Sequence, residues 1–301
     1  MKISVAAGDV RGSSAFDDLV GQVREAADAG LARAWISQAT GWDAVTAIAV
    51  AGAATPGIAL GTAVVPVPQR HPLVLAAQAL TAQAATGGRF TLGIGAGIGM
   101  MVSGAFGLPV DRPVARMREY LTALRPLLDG EQVEHRGRWI TAVGAVAVPA
   151  TPAPPVLLAA LGPRMVRLAG EAADGAITWM AGPGNLGEHV VPQLVTAAAR
   201  AGRTAPQVVA GLPVCVTDHP DDARARVADR FGLAGQVPEY RAVLDREGAA
   251  GPADVALVGD EEAVTRALAR FRDAGATEFM AAPFGTPAER ARTTALLAHL
   301  G

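Results

Sequence analysis

Two hydrophobic rhythms alternate along this chain. Short apolar runs rich in Val, Ile, Leu and Ala recur from the first residues. Between them lie longer stretches whose apolar positions return every three to four residues, as Leu19, Val23 and Ala26 do. A period near two marks strands and a period near 3.6 marks helices. The pattern predicts strands over 3–7, 31–37, 58–65, 90–95, 155–160, 176–180, 208–217 and 278–283. It predicts helices over 16–29, 42–54, 71–86, 114–128, 163–173, 186–201 and 287–300. Eight strands with intervening helices is the count of a (β/α)8 TIM barrel. The rival is an open doubly wound sheet. Its usual glycine fingerprint is missing from the first turn, which reads Gly8-Asp9-Val10-Arg11-Gly12.

Two stretches interrupt the rhythm. Residues 129–154, after the fourth strand and its helix, carry a polar turn at Glu134-His135-Arg136-Gly137 and an apolar run at 146–148, which together predict a small hairpin. Residues 218–275, after the seventh strand, carry extra helices near 220–230, 236–247 and 260–274. Neither stretch has the Gly/Ser composition of a tether, so both read as insertions within one domain spanning 1–301.

Composition narrows the chemistry. The 301 residues are 50% hydrophobic and carry 26 basic against 28 acidic side chains, a net charge of −2. That balance speaks against a surface built for nucleic acid or membrane. Cys215 is the sole cysteine and the five histidines are dispersed, so multi-cysteine metal clusters are excluded and no metal site is expected. Lys2 is the sole lysine. Schiff-base chemistry and a Walker-A phosphate loop therefore have no residue to work with. The chain begins as a strand without an apolar leader, and Pro and Gly break its longest uncharged run; the expectation is a soluble, cytoplasmic protein.

In a barrel the site lies where strands end and βα-loops begin. The fourth strand ends in Gly93-Ile94-Gly95-Ala96-Gly97-Ile98-Gly99. This run either lets backbone approach a flat or anionic ligand, or is a tightly packed turn. The fifth ends in Ala160-Leu161-Gly162-Pro163-Arg164 and the sixth in Trp179-Met180-Ala181-Gly182-Pro183-Gly184, each ahead of a helix. Free N–H groups at two neighbouring helix starts suit one phosphate, with Arg164 adding a fixed positive fork. The alternative is two ordinary turns. Trp42 either covers a ligand face or opens the core of its helix. His71 is either a proton donor or a helix cap. From Ala44 to Thr86 the formal charge is Arg70 alone, so the second and third helices offer water no charged face; a subunit interface or an insertion would cover them.

The order and spacing of several segments resemble the bacterial-luciferase-like superfamily, and within it the actinobacterial branch that uses the deazaflavin coenzyme F420. They are Gly61-Thr62-Ala63-Val64-Val65-Pro66 with Arg70-His71-Pro72; Gly87-Gly88-Arg89-Phe90-Thr91-Leu92-Gly93; Asp111-Arg112-Pro113 with Met117-Arg118-Glu119; and Ala159-Ala160-Leu161-Gly162-Pro163 with Leu168-Ala169-Gly170-Glu171-Ala172-Ala173-Asp174-Gly175. The resemblance covers essentially the whole chain. It implies a (β/α)8 barrel, a homodimer through the second and third helices, and a coenzyme lying across the strand ends. It also implies a cis peptide between Ala63 and Val64 and a phosphate turn at Gly162, with Ala160, Leu161, Pro163 and Arg164 around it. Gln38, Thr62, Gly95, Gly97, Trp179, Met180 and Gly182 fall where relatives contact ring, ribityl chain or phosphate.

Two departures bear on turnover. Gln38-Ala39 stands where many relatives carry an Asp-His pair, and Gly97 to Ser103 lacks the His and Glu of close relatives. Proton delivery then falls to Asp9, His71, Thr40 or water, with Trp42 beside the substrate. The expected activity is hydride transfer between F420 and a hydrophobic conjugated or carbonyl compound, in a pocket lined by Trp42, Met100, Met101, Trp179 and Phe284. The alternatives are an FMN-dependent monooxygenase and a coenzyme-binding protein with little turnover.

Overall fold

A computed structural model describes residues 1–8, 15–148 and 152–301. Asp9, one of the expected proton donors, lies outside the described residues. Eight strands follow one another around a closed parallel barrel: β1 (Lys2–Ala7), β2 (Arg33–Ile36), β3 (Ala59–Thr62), β4 (Phe90–Gly95), β5 (Val156–Ala159), β6 (Gly175–Trp179), β7 (Gln207–Val216) and β8 (Glu278–Pro283). Each pairs in parallel with its neighbour, and β8 closes on β1 through Lys2 opposite Glu278 and Ile3 opposite Phe279. The (β/α)8 architecture expected from the alternation is the one observed. A short strand, Val65–Pro66, extends the pairing along β4, and another, Leu257–Gly259, adds to the far end of β7.

The helices ring the barrel in chain order: α1 (Phe16–Asp28), α2 (Ala44–Ala54), α3 (Pro72–Ala85), α4 (Pro113–Leu128), α5 (Pro163–Ala172), α6 (Val191–Arg200), α7 (Pro220–Phe231), α8 (Pro238–Glu247), α9 (Glu261–Asp273) and α10 (Pro287–Leu300). Their starts follow local chemistry. The Asp43 carboxylate accepts the Thr46 N–H at 2.9 Å and caps α2. His71 caps α3, with Pro72 at the first position, where a missing N–H costs nothing. Thr286 and Glu289 cap each other's main chain at the start of α10. In α1 the buried residues are Leu19, Val23 and Ala26, the stripe that the sequence pattern supplies.

Inside the barrel, inward-facing residues of the strands form layers. The middle layer is apolar and fully buried: Trp35, Leu157, Ile177, Val209 and Met280 form one cluster. Trp35 fills the centre only because Gly61 faces it. A Cβ at position 61 would sit 2.3 Å from the indole ring. Below it is a polar layer. Glu278 accepts the Trp35 Nε1–H at 2.7 Å and pairs with Arg33 at 3.3 Å, while Arg33 also donates to the Thr91 hydroxyl. Burial pulls the Arg33 guanidinium below its ordinary value, and Glu278 works against that.

Local differences from expectation have identifiable causes. The hairpin between α4 and β5 pairs Val133–Arg136 with Thr141–Gly144, not with 146–148. Its turn is set by the Gly137 N–H to the Ile140 carbonyl at 2.8 Å and by Glu119, whose carboxylate accepts three main-chain N–H groups from Arg138, Trp139 and Ile140. The third strand ends at Thr62, before the cis peptide at Ala63–Val64. A six-residue helix, Gly99–Gly104, occupies the glycine-rich stretch that the sequence pattern leaves as loop.

Candidate active site at the barrel mouth

The C-terminal ends of the strands carry small side chains. Strand alternation places Ala6, Ser37, Ala63, Gly95, Ala159 and Ala282 one step above the Trp35 layer. All but Gly95 are half-buried, so the mouth of the barrel is floored by small, partly exposed side chains. Gly95 is required there, because a Cβ would meet Val64 Cγ2 at 2.8 Å and the Ala159 Cβ at 3.2 Å. Trp179 stands at one side of this floor, packed on the middle layer and edge-on to Phe231, with ring centroids 6.1 Å apart. The cis Ala63–Val64 bond lies within the floor, and the Ser37 hydroxyl donates to the Ala63 carbonyl at 2.6 Å. Ala63, Val64, Gly95 and Trp179, all expected site residues, are thus brought together.

Above this floor, the turn at Gly162 is open. Gly162 caps α5 without any side-chain hydrogen bond to the helix start. Its φ of −89° suits any residue, and a Cβ built on it would meet nothing within 4 Å. The fold does not demand glycine here. Ala160 is buried beneath the turn, with its N–H on the Ile177 carbonyl, while Pro163 and Arg164 are exposed at its edge. An uncapped helix start leaves N–H groups and a positive dipole end facing the rim, which is what an anion needs.

The second expected phosphate turn is filled from within the chain. Glu247, the last residue of α8, accepts the N–H of Gly184 at 3.1 Å and of Asn185 at 2.6 Å. A Cβ at Gly182 would strike its carboxylate carbon at 2.2 Å. Beside it, Arg246 donates to Asn185 Oδ1 at 3.0 Å and to the Leu161 carbonyl at 3.3 Å. The expectation that both turns share one phosphate is therefore corrected. The Glu247 carboxylate already takes the N–H groups of Gly184 and Asn185 in the turn after Gly182, and the open turn is Gly162. Met180, just before, is fully buried and has φ of +57°, a conformation that non-glycine residues rarely take.

Other expected residues have structural employment. The Thr62 hydroxyl donates to the Gly93 carbonyl at 2.7 Å and accepts the Gly93 N–H at 2.8 Å, so it bridges β3 and β4 from a fully buried position. Gln38 Oε1 accepts from the Ala44 N–H at 3.0 Å and from Arg70 at 3.1 Å. Arg70 also pairs with Asp43. Burial works to raise the Asp43 carboxyl, but the Thr46 N–H and then Arg70 outweigh it and hold it low. His71 spends both ring nitrogens: Nδ1 accepts the Leu73 N–H at 3.3 Å and Nε2 meets the Thr141 carbonyl at 2.7 Å. Trp42 is 45% exposed and stands edge-on to Phe16 at 5.2 Å. It lines a small hollow with Ala7, Gly8 and Ser37 beside the mouth. Gly97 has φ of +76°, as the loop after β4 requires. Phe284, expected in the pocket wall, packs instead with Cys215, Ala223 and Val227 under α7. Met100 is 76% exposed.

Sequence reading marks Arg70 without giving it a role in the site, and it passes over Arg246 and Glu247. Each acts on residues far along the chain, and only the Arg70-His71-Pro72 signature drew attention to the first. Among the described residues no group of three or more His, Cys, Asp or Glu is placed to hold a metal ion, and no helix is long and apolar enough to cross a membrane.

Comparison with known proteins places this architecture. The luciferase-like monooxygenase family model matches residues 2–290, and the chain belongs to that family. An F420-dependent glucose-6-phosphate dehydrogenase of Beutenbergia cavernae is 31% identical over 232 residues, covering 74% of this chain and 67% of the relative. A 5,10-methylenetetrahydromethanopterin reductase of Methanolobus tindarius is 30% identical over 210 residues, covering 68% of this chain and 63% of that one. Among solved structures, an F420-dependent secondary alcohol dehydrogenase in complex with an F420–acetone adduct shares the fold with a TM-score of 0.84. It is 19% identical, with 100% of this chain and 98% of that one covered. A type II Baeyer–Villiger monooxygenase in complex with FMN shares it with a TM-score of 0.77 at 20% identity, covering 99% and 97%.

Proposed function

We propose that this chain is an F420-dependent oxidoreductase that exchanges hydride with a hydrophobic conjugated or carbonyl compound. The observation that carries the reading is the uncapped, unobstructed turn at Gly162 standing over a floor of small side chains. A flat tricyclic ring fits that floor, and its phosphate fits the turn. The Beutenbergia cavernae relative, named as F420-dependent, supports the choice of coenzyme. When bound, the deazaflavin supplies the hydride at ring carbon C5.

The chain's own part is positioning. Ala63, Val64, Gly95 and Ala159 let the ring approach the barrel mouth, and Trp179 walls one side. The main-chain N–H groups at Gly162 and Arg164 hold the phosphate. With Gln38 and His71 occupied in hydrogen bonds, proton delivery rests with water or the first loop. The outward faces of α2 and α3 make the chain a homodimer.

Titration of F420 and of FMN against the purified protein tests this, followed by deazaflavin fluorescence and by melting temperature. Saturable F420 binding that raises the melting temperature is expected. Gly162→Val has room to fold, and its side chain then occupies the space of the phosphate; a loss of affinity of at least about ten-fold is expected, equivalent to about 1.4 kcal/mol. FMN binding without F420 binding would move the assignment to a flavin monooxygenase. Unchanged affinity in the folded variant removes the phosphate from this turn.

A further inference from the structure

A cleft of about 760 Å³ opens on the outer side of the Gly162 turn, between α4, the start of α5 and the hairpin. Its lining includes Arg112, Arg118, Arg164, Glu119 and Trp139. In a chain with net charge −2, three guanidinium groups around one cleft form a local positive field. Glu119 is the one acidic side chain of the lining; the three hairpin N–H groups hold it ionised, so the lining sets three cations against one anion. Arg118 pairs with Glu171 at 2.5 Å at the exposed edge. Arg112 and Arg164 enter no ion pair among the described residues. The Trp139 ring is flanked by the guanidinium groups of Arg116 and Arg138, each 5.2 Å from its centroid; Arg116 is paired with Asp111 at 2.7 Å, so Arg138 is the further cation beside the wall. Arg112 has φ of +50°, a left-handed conformation that a non-glycine residue adopts at a cost.

The position of the cleft selects its ligand. Arg164 stands two residues beyond Gly162, so the cleft begins where the phosphate of the bound coenzyme would end. A ligand that continues past that phosphate enters a corridor of fixed positive charge. Coenzyme F420 continues there as a chain of γ-linked glutamates, an extended polycarboxylate; FMN ends at its phosphate. Guanidinium forks match carboxylates in geometry as well as in sign.

We propose that this cleft holds the oligoglutamyl tail of the deazaflavin coenzyme, with Arg112 and Arg164 as its principal carboxylate contacts and Arg118 at the outer end. The inference rests on the F420 reading and deepens it. The cleft makes the tail a determinant of affinity and gives the protein a means to prefer F420 over FMN.

Fluorescence titration of the whole protein with two deazaflavins tests it: F420 bearing several glutamates, and the form that ends at the phospholactate without any. The readout is the dissociation constant at low and at high salt. The oligoglutamyl form should bind about ten-fold more tightly at low salt, the sum of a few partly exposed ion pairs. The gap should shrink as salt rises. It should also fall to about three-fold or less in Arg112→Gln/Arg118→Gln, two arginines of the cleft with no part in the phosphate turn, while that variant binds the glutamate-free form as the parent does. Equal affinity for the two forms in the parent protein overturns the tail site and leaves the F420 reading standing. Failure of both forms to bind overturns both. The comparison of ligands on the parent protein does not depend on the variant's folding.

Discussion

At the scale of single residues, the barrel is decided by what its inward positions leave out. Trp35 occupies the centre, and its Nε1–H finds Glu278. That indole fits because Gly61 opposes it on the neighbouring strand. Gly93 shows the same need, since a Cβ there would lie 1.9 Å from the Thr62 carbonyl oxygen. Gly61→Ala should therefore displace the indole or spread β2 from β3. Overpacking of a filled core costs about 1–3 kcal/mol, so the variant should have a lower urea midpoint and altered Trp fluorescence. A wild-type midpoint would mean that the Trp35 layer is looser than its contacts imply. The Arg33–Glu278 pair below Trp35 was not foreseen, although both residues were visible in strand-forming runs. A charge inside a barrel is unexpected from hydrophobic pattern alone, and only closure of β8 on β1 brings the two together.

At the scale of elements, much was legible. The strands over 90–95 and 278–283 and the last helix over 287–300 coincide with the observed β4, β8 and α10. Pro at a first helical turn and apolar spacing mark them without ambiguity. The α8 helix was legible too, but its task was not, because Glu247 acts on N–H groups more than sixty residues earlier. The carboxylate pins the end of α8 against the turn after β6 as a cap would. Glu247→Ala should free the 232–251 stretch and leave two N–H groups unmet, a loss of about 0.5–2 kcal/mol by analogy with capping residues. Limited proteolysis with mass mapping should show faster cleavage within that stretch; an unchanged pattern would assign the anchoring to Arg246 alone. A second cap carries a pH signature. The Glu289 carboxyl is held down to about 2, first by the Thr286 N–H, then by the Thr217 hydroxyl and Arg226. Its unfolded value is about 4.3. The stabilisation is therefore complete above that value and is lost as pH falls from about 4.3 toward 2. Melting temperature should decline through that window, and Glu289→Gln should flatten the decline. Glu261, also held to about 2 by Arg292, belongs to a surface ion pair open to solvent and adds little.

At the scale of the whole molecule, the distribution of charge is the argument for a partner copy. Between Ala44 and Thr86 the one formal charge is Arg70. Its guanidinium is only 11% exposed and is turned to Asp43, so these two helices show water no charge at all. They do show apolar side chains: Val50 is 45% exposed on α2 and Val74 is 52% exposed on α3. Of the insertions expected as possible cover, the helices of 218–275 contact the β7 side of the barrel, and the 129–154 stretch touches α3 at His71 and Gln83 but leaves Val50 and Val74 exposed. Two such faces brought together by a two-fold axis would bury their valines and alanines without stranding a charge. A stable interface needs about 800 Å² from each subunit, which two helices of this length can supply. Light scattering coupled to size-exclusion chromatography should give twice the 30.5 kDa chain mass at micromolar concentration. Val50→Glu/Val74→Glu should shift the protein to monomer with an unchanged circular dichroism spectrum, because both side chains already lie outside the core. A monomeric wild-type protein would leave the uncharged faces of α2 and α3 without their occupant and remove the dimer from the proposal, while the Gly162 turn and the arginine cleft, on other elements, would be untouched by that result.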